Sequence, residues 1–229
     1  THPELLDWLA SELIARKWSL KHIQRLILTS ATYQQSSRFD EVAHEVDSSN
    51  RLLWRISSRR LEAESLRDTI LAMSGKLDLR MGGPGFDLFE PNANYVKVYT
   101  TKTEFEPGDF RRMIYQNKPR AELDSLFGAF DCPDGGQIQP RRNSSTTPLQ
   151  ALNLLNSQFL IEQSNELAQR LQRDVGSSTP AQIQRAYALA FGRAAEPNEL
   201  TAAEKLIESH GLPAFCRALY NTNELITIH

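Results

Sequence analysis

Four prolines, at positions 148, 180, 197 and 213, do most to limit what this chain can become. A proline fits the first turn of a helix but breaks a helix interior, so each one marks a start. Thr147 stands as N-cap before Pro148, and Gln150 holds the reciprocal position of a capping box. Thr179-Pro180-Ala181-Gln182 repeats the pattern and opens a helix that turns Ile183, Tyr187, Ala190 and Phe191 inward until Gly192. Pro197 opens another, with Leu200, Ala203, Leu206 and Ile207 inward until Gly211, and Leu212-Pro213 restarts the chain through Phe215, Leu219 and Tyr220. The C-terminal third is therefore predicted to be a bundle of short helices. From Thr147 a helical projection puts Leu149, Leu152, Leu155, Phe159, Leu160, Leu167 and Leu171 on one buried face. Asn156 falls inside that arc and Asn153 on its edge. A buried amide without partners costs roughly 1 to 3 kcal/mol, so both are expected to bond nearby backbone, such as the Arg141 to Thr147 loop, or else to bind a ligand.

The N-terminal part also reads as helical. Leu5, Leu6, Leu9, Leu13 and Ile14 form one apolar series, and Ser19 caps a second with Leu20, Ile23, Leu26 and Ile27, the two helices packing as neighbours across a short turn. Residues 34 to 50 are polar and aperiodic and read as an exposed loop, held down by Tyr33 and Phe39. A third helical segment is predicted after Asn50, through Leu52, Leu53, Ile56, Leu61, Leu66, Ile70, Leu71 and Met73, closing at Gly75. It crowds Arg59, Arg60, Glu62, Glu64, Arg67 and Asp68 together, with Arg60 and Glu64 at an attractive i,i+4 spacing and Glu64 and Asp68 at a repulsive one. This is either a solvated face or one wall of a polar cleft.

Gly82-Gly83-Pro84-Gly85 reads as a loop, since the spacing is not that of a phosphate cradle. Tyr95 to Tyr99 alternates apolar and polar, and Phe110 to Gln116 follows the turn signal Pro107-Gly108-Asp109. The predicted fold is mainly α, a helical bundle-like single domain with a small β-hairpin excursion near residues 95 to 116: helices over 1–78, loop and β over 79–146, helices again over 147–229.

Composition narrows the function classes. Lys+Arg of 26 against Asp+Glu of 28 gives a formal charge of -2, so no global field favours nucleic acid. No run reaches the roughly 18 to 20 apolar residues that span a bilayer, and no leader pattern opens the chain at Thr1. Cys132 and Cys216 form no Cys-x-x-Cys, leaving either one disulfide or two buried thiols. The histidines are scattered, so no metal site is predicted. Ser144 and Ser145 lack the hydrolase elbow.

Chemistry concentrates between Phe130 and Asn156. Asp131 and Asp134 flank a turn at Pro133; they suit acid/base work, cation binding, or plain capping with Arg141 and Arg142 as partners, and Glu64 is the third candidate carboxylate. Arg59, Arg60, Arg111, Arg112, Tyr115, Arg141, Arg142, Asn153 and Asn156 are the candidate ligand-binding residues. Tyr99, Phe105, Phe110, Arg111, Arg112, Tyr115 and Arg120 interleave aromatic and cationic side chains, which fits stacking on sugars as well as an ordinary strand pair with salt bridges.

Taken in order, His2-Pro-Glu-Leu-Leu-Asp-Trp-Leu-Ala, Trp18-Ser, Ser30 to Ser37, Trp54-Arg, Arg59-Arg60-Leu-Glu-Ala-Glu64, Arg67-Asp68, Ser74-Gly75, Gly82-Gly83-Pro84, Arg111-Arg112 with Tyr115, Phe130-Asp131, Pro133-Asp134 and Arg141 through Asn156 resemble the PSD1 (DUF1553) family. The resemblance runs over nearly the whole chain. It implies a domain of unknown function abundant in planctomycetes and related bacteria, carried near the C-terminus of large exported proteins after a DUF1549 domain and often with a c-type cytochrome domain upstream. Against the family pattern this copy is expected to be N-terminally trimmed ahead of His2, and the usual Asn-x-Asn-Glu-Phe reads Asn221-Thr-Asn-Glu-Leu225. The resemblance carries no catalytic residues, places any haem in the partner domain, and implies a periplasmic or extracytoplasmic setting. The expected function is an accessory or interaction domain; the alternatives are an enzyme acting on an envelope or polysaccharide substrate, and a glycan-binding module.

Overall fold

A computed structural model describes residues 2–90, 98–119, 127–133, 135, 136, 138, 140–143 and 145–228. The chain divides into two compact units, Thr1–Arg59 and Arg60–Ile228, with His229 assigned to the first.

In the smaller unit, α1 runs Pro3–Ala15 and α2 Leu20–Leu28. Ser19 caps α2 as expected, its hydroxyl accepting from His22 N–H at 3.4 Å, and the two helices pack as neighbours, tied by His22 Nε2 to Glu12 at 2.8 Å. The expected exposed loop contains a short helix, α3 (Glu41–Val46), because Asp40 caps it by accepting from Ala43 N–H. The helix expected directly after Asn50 does not form. Local side-chain bonds take its backbone: Asn50 brackets Arg55 through both amide atoms, Asp47 accepts from Leu52 N–H, and Trp54 Nε1 donates to the Asp47 carbonyl. Asn50 and Leu53 consequently sit at φ of 54° and 56°. The apolar faces predicted for α1 and α2 are not buried. No described residue of this unit is buried, and Leu6, Trp18 and Leu20 are each about 70% exposed.

The larger unit begins at the second residue of a two-residue strand, β1 (Arg59–Arg60), paired with β4 (Thr227–Ile228) and extended by Leu61 N–H to the Ile226 carbonyl. Helix α4 covers Ala63–Ser74 only, so Arg60 lies outside it and the expected helical Arg60–Glu64 pair is not made. Gly75, in the left-handed conformation at φ 80°, ends it as predicted. The β excursion is a ladder of β2 (Phe89–Glu90) with antiparallel β3 (Thr100–Thr101), in register Phe89 to Thr101 and Glu90 to Thr100. Tyr95 to Lys97, expected in a strand, lie outside the described residues. The segment 110–116 is not a strand but two 3₁₀ turns, Pro107–Phe110 and Met113–Tyr115, with isolated bridges from Arg111 to Asp78 and from Gln116 to Phe86.

The capping box at Thr147 and Gln150 forms as predicted and opens α5 (Pro148–Asn156). The single long face does not. Ser157 stops α5 and caps α6 (Gln158–Val175), accepting from Leu160 N–H, which rotates the two leucine series apart. Phe159, Leu160, Leu167 and Leu171 are buried on α6, whereas Leu149, Leu152 and Leu155 of α5 face out and Gln150 and Leu154 face in. Three further helices follow, α7 (Thr179–Phe191), α8 (Pro197–His210) and α9 (Leu212–Tyr220), with the cap of α7 at Ser178, one residue earlier than expected. A short α10 (Asn223–Ile226), capped by Thr222, was not predicted. Helix α6 is the axis of this core, packed on α4, α7 and α9, with Tyr220, Cys216 and Leu219 of α9 enclosed. Cys132 and Cys216 are free, buried thiols. Among the described residues, no helix is long and apolar enough to cross a membrane.

Candidate functional site

Glu64 sits in the first turn of α4, half-buried, and the loop after the 3₁₀ turn Phe127–Phe130 folds back over it. Arg142 meets it in a fork, Nη1 to Oε2 at 2.6 Å and Nη2 to Oε1 at 2.9 Å. Lys118 Nζ stands 3.7 Å from the same carboxylate and 2.5 Å from Cys132 Sγ, and the thiol faces Glu64 Oε1 at 3.7 Å. Burial pushes the Glu64 pKa up, but the Arg142 bonds outweigh it and hold the group at about 2. Burial raises the Cys132 thiol, with Lys118 pulling the other way. Lys118 and Cys132 were not among the predicted residues. No spacing rule links either to Glu64, and only the folded loop brings them together.

Asp131, at φ 59°, turns its carboxylate onto Ser145, accepting from the backbone N–H at 2.7 Å and from the hydroxyl at 2.9 and 3.1 Å. Arg60 lies over the Phe130 ring at 5.4 Å and donates to the Ser145 carbonyl and to Thr146 Oγ1, both at 3.3 Å. Gln150, fully enclosed, accepts from Thr147 N–H and donates to the Ala129 and Ser145 carbonyls. Gln150 is thus an amide that pins the loop to the helix. Asn156 is exposed and its side chain donates to the Leu152 carbonyl of its own helix, and Asn153 is half-buried. Asp134 lies outside the described residues. Arg141 and Arg59 are exposed.

Arg111 and Tyr115 are brought together elsewhere. The Gly82 to Gly85 loop wraps the Arg111 guanidinium, which donates to the carbonyls of Arg80, Gly82 and Pro84 and stacks 4.0 Å over the Tyr115 ring, while Tyr115 Oη accepts from Gly82 N–H. Gly85 is required there, because a Cβ would stand 2.6 Å from the Tyr115 carbonyl. Arg112, nearer the surface, reaches Asp68 at 3.8 Å. Arg67 of α4 is fully buried and donates to the Asp109 and Arg111 carbonyls. Burial raises the Asp68 carboxyl beside it against the pull of Met113 N–H, Arg67 and Arg112. Several of the candidate residues therefore form two clamps, one in which Arg142 and Ser145 hold the Glu64 and Asp131 carboxylates and one in which loop carbonyls hold the Arg111 guanidinium. Among the described residues, no group of three or more His, Cys, Asp or Glu could hold a metal ion.

The smaller unit holds a feature that the sequence reading did not pick out. A groove of about 570 Å³ runs along α1, α2 and the 50–57 segment, walled by Leu5, Trp8, Leu26, Ile27, Leu52 and Leu53. The signal was present in the leucine spacing of α1 and α2, but periodicity does not say what covers an apolar face.

No curated protein and no solved structure matches this chain. One family model does, over residues 1–207, described as a protein of unknown function, and by that match the chain belongs to the PSD1 (DUF1553) family.

Proposed function

We propose that this chain is an accessory interaction domain that docks through its N-terminal unit onto a neighbouring domain of a larger exported protein. The observation that carries this reading is the apolar groove of residues 2–57: large side chains such as Trp8 at 52% and Leu5 at 50% stand open to water in a unit with no buried residue among those described. Contiguous apolar surface of this kind marks a binding face. The candidate polar residues give less support to catalysis, since the Glu64 and Asp131 oxygens are held by Arg142 and Ser145. A glycan platform at Tyr115 is disfavoured by the Arg111 stacked on its ring. In this reading the neighbour is the DUF1549-like or c-type cytochrome domain implied by the family resemblance, haem belongs to that neighbour, this chain carries no cofactor, and the setting is extracytoplasmic. Nucleic acid is not a partner.

Each purified neighbour domain should be titrated into this chain while tryptophan emission is recorded. Binding with a blue shift is expected, lost in Leu5→Glu and in Trp8→Ser with the far-ultraviolet circular dichroism unchanged. Absence of binding to either neighbour, or undiminished binding by both groove variants, would overturn the docking reading. Loss of a ligand or an activity in Glu64→Gln or Asp131→Asn variants of normal stability would favour the enzyme instead.

A further inference from the structure

The nearest partner of Lys118 Nζ is a sulfur and not a carboxylate: Cys132 Sγ lies at 2.5 Å, the Pro133 carbonyl at 3.5 Å and Glu64 Oε1 at 3.7 Å. Both Glu64 oxygens are taken by the Arg142 fork at 2.6 and 2.9 Å, so the carboxylate does not draw the amine away from the thiol. Nothing stands between nitrogen and sulfur, which approach more closely than the roughly 2.7 to 3.2 Å of an ordinary N–H···O bond. The two groups also match in reactivity. A lysine cation favours the thiolate, the form that oxidants attack, while burial opposes it. The Lys118 side chain is 28% exposed and gives the pair an opening to water, whereas Cys216 is fully enclosed in the core.

We infer that Cys132 and Lys118 form an oxidative modification site, in which a peroxide oxidises the thiol and the lysine amine then closes on the sulfur to give an internal S–N link. The Cys132 thiolate attacks one oxygen of hydrogen peroxide, the O–O bond breaks, and a sulfenic acid and hydroxide result. The hydroxide takes a proton from the Lys118 ammonium and leaves as water. A sulfenic acid condenses even with a backbone nitrogen within reach, and an amine is the better nucleophile. The Lys118 lone pair therefore attacks sulfur, the S–O bond breaks, and the oxygen departs as a second water with a proton from the amine. Thiolate, ammonium and one hydrogen peroxide thus become a sulfenamide and two waters, the sulfur losing two electrons and the peroxide gaining them. The link ties together positions 14 apart in the chain and removes the lysine charge beside Glu64, leaving that carboxylate to Arg142. The pair is separate from the N-terminal groove, and the inference stands whether or not that groove docks a partner.

The full chain should be treated with hydrogen peroxide, digested with trypsin without reductant and read by mass spectrometry. Trypsin cuts after Arg112, Arg120 and Arg141, so the link would hold residues 113–120 to residues 121–141. The expected product is that joined pair, lighter by two hydrogens than its two peptides together, and returned to them by dithiothreitol. Lys118→Arg keeps a cation at that position but has no amine to condense. It should form no link and should instead carry Cys132 on to the sulfinic acid, at least fivefold more than the parent chain does. The same peroxide treatment of the chain unfolded in urea should yield at least tenfold less link, because the two groups then meet only by chance. No joined peptide from the folded chain, equal sulfinic acid in parent and Lys118→Arg, or equal linkage in folded and unfolded chains would each overturn the inference.

Discussion

Glu64 shows how single residues hold this fold. The charge lies near a helix N-terminus, where a carboxylate is favoured, and the Arg142 fork fixes the returning loop to it. Its folded pKa of about 2 lies below the ordinary 4.5. A depressed carboxyl contributes stability that is complete above about pH 4.5 and is lost as pH falls toward 2. At 1.36 kcal/mol per unit the ceiling is roughly 3 kcal/mol. Glu64→Gln is expected to cost about 1 to 3 kcal/mol in urea unfolding at pH 7, with the gap to the parent closing toward pH 2. A gap that stays constant across that range would show that the ion pair is not the cause. The partners of Glu64 were only partly legible. Arg142 stood among the candidates, but Lys118 and Cys132 are 54 and 68 residues from Glu64 in the chain, and no local rule reaches that far.

At the scale of elements, short-range chemistry decided which expectations held. Thr147, Pro148 and Gln150 specify the start of α5 within four residues, and the capping box forms as the sequence implies. Ser157 acted by the same local logic, but it lies inside an apolar periodicity that continues past it, so one long face was expected where two helices stand. Around residue 50, side chains of Asp47 and Asn50 took the backbone that a helix would have used. Gln150 joins three segments at once, so Gln150→Leu should remove the Gln150 partner of the Ala129 carbonyl and the Thr147 N–H and leave the Ser145 carbonyl to Arg60. The expected cost is about 2 to 4 kcal/mol, with faster hydrogen exchange at Thr147 and Ser145 than in the parent. Gly85→Ala should lose about 1 to 3 kcal/mol of thermal stability, because the Tyr115 carbonyl that its methyl meets is backbone and cannot rotate away.

For the molecule as a whole, burial is divided unequally. The larger unit encloses Leu66, Ile70, Leu160, Leu167, Ile183 and Tyr220, while the smaller has no buried described residue. Stability follows buried apolar area, so the smaller unit is expected to open at lower free energy. All three tryptophans, Trp8, Trp18 and Trp54, lie in it. Tryptophan emission in urea should therefore change at a lower midpoint than the circular dichroism of the helices in the larger unit. Coincident transitions would show instead that the two units unfold together. A bound neighbour at the groove should raise the emission midpoint toward the other.

The sequence by itself determined the class of the fold, the positions of most helix starts and stops, and the family. These depend on caps, prolines, glycines and periodicity, which act over a turn or two. Only the tertiary structure decided which apolar faces are covered, that Leu149, Leu152 and Leu155 turn outward, that Arg111 is wrapped by a glycine-rich loop about 30 residues away, and that Glu64 meets Lys118, Cys132 and Arg142. Those outcomes depend on contacts between segments far apart in the chain. Amphipathic spacing states that a face prefers to be buried, but the partner that buries it is set by packing.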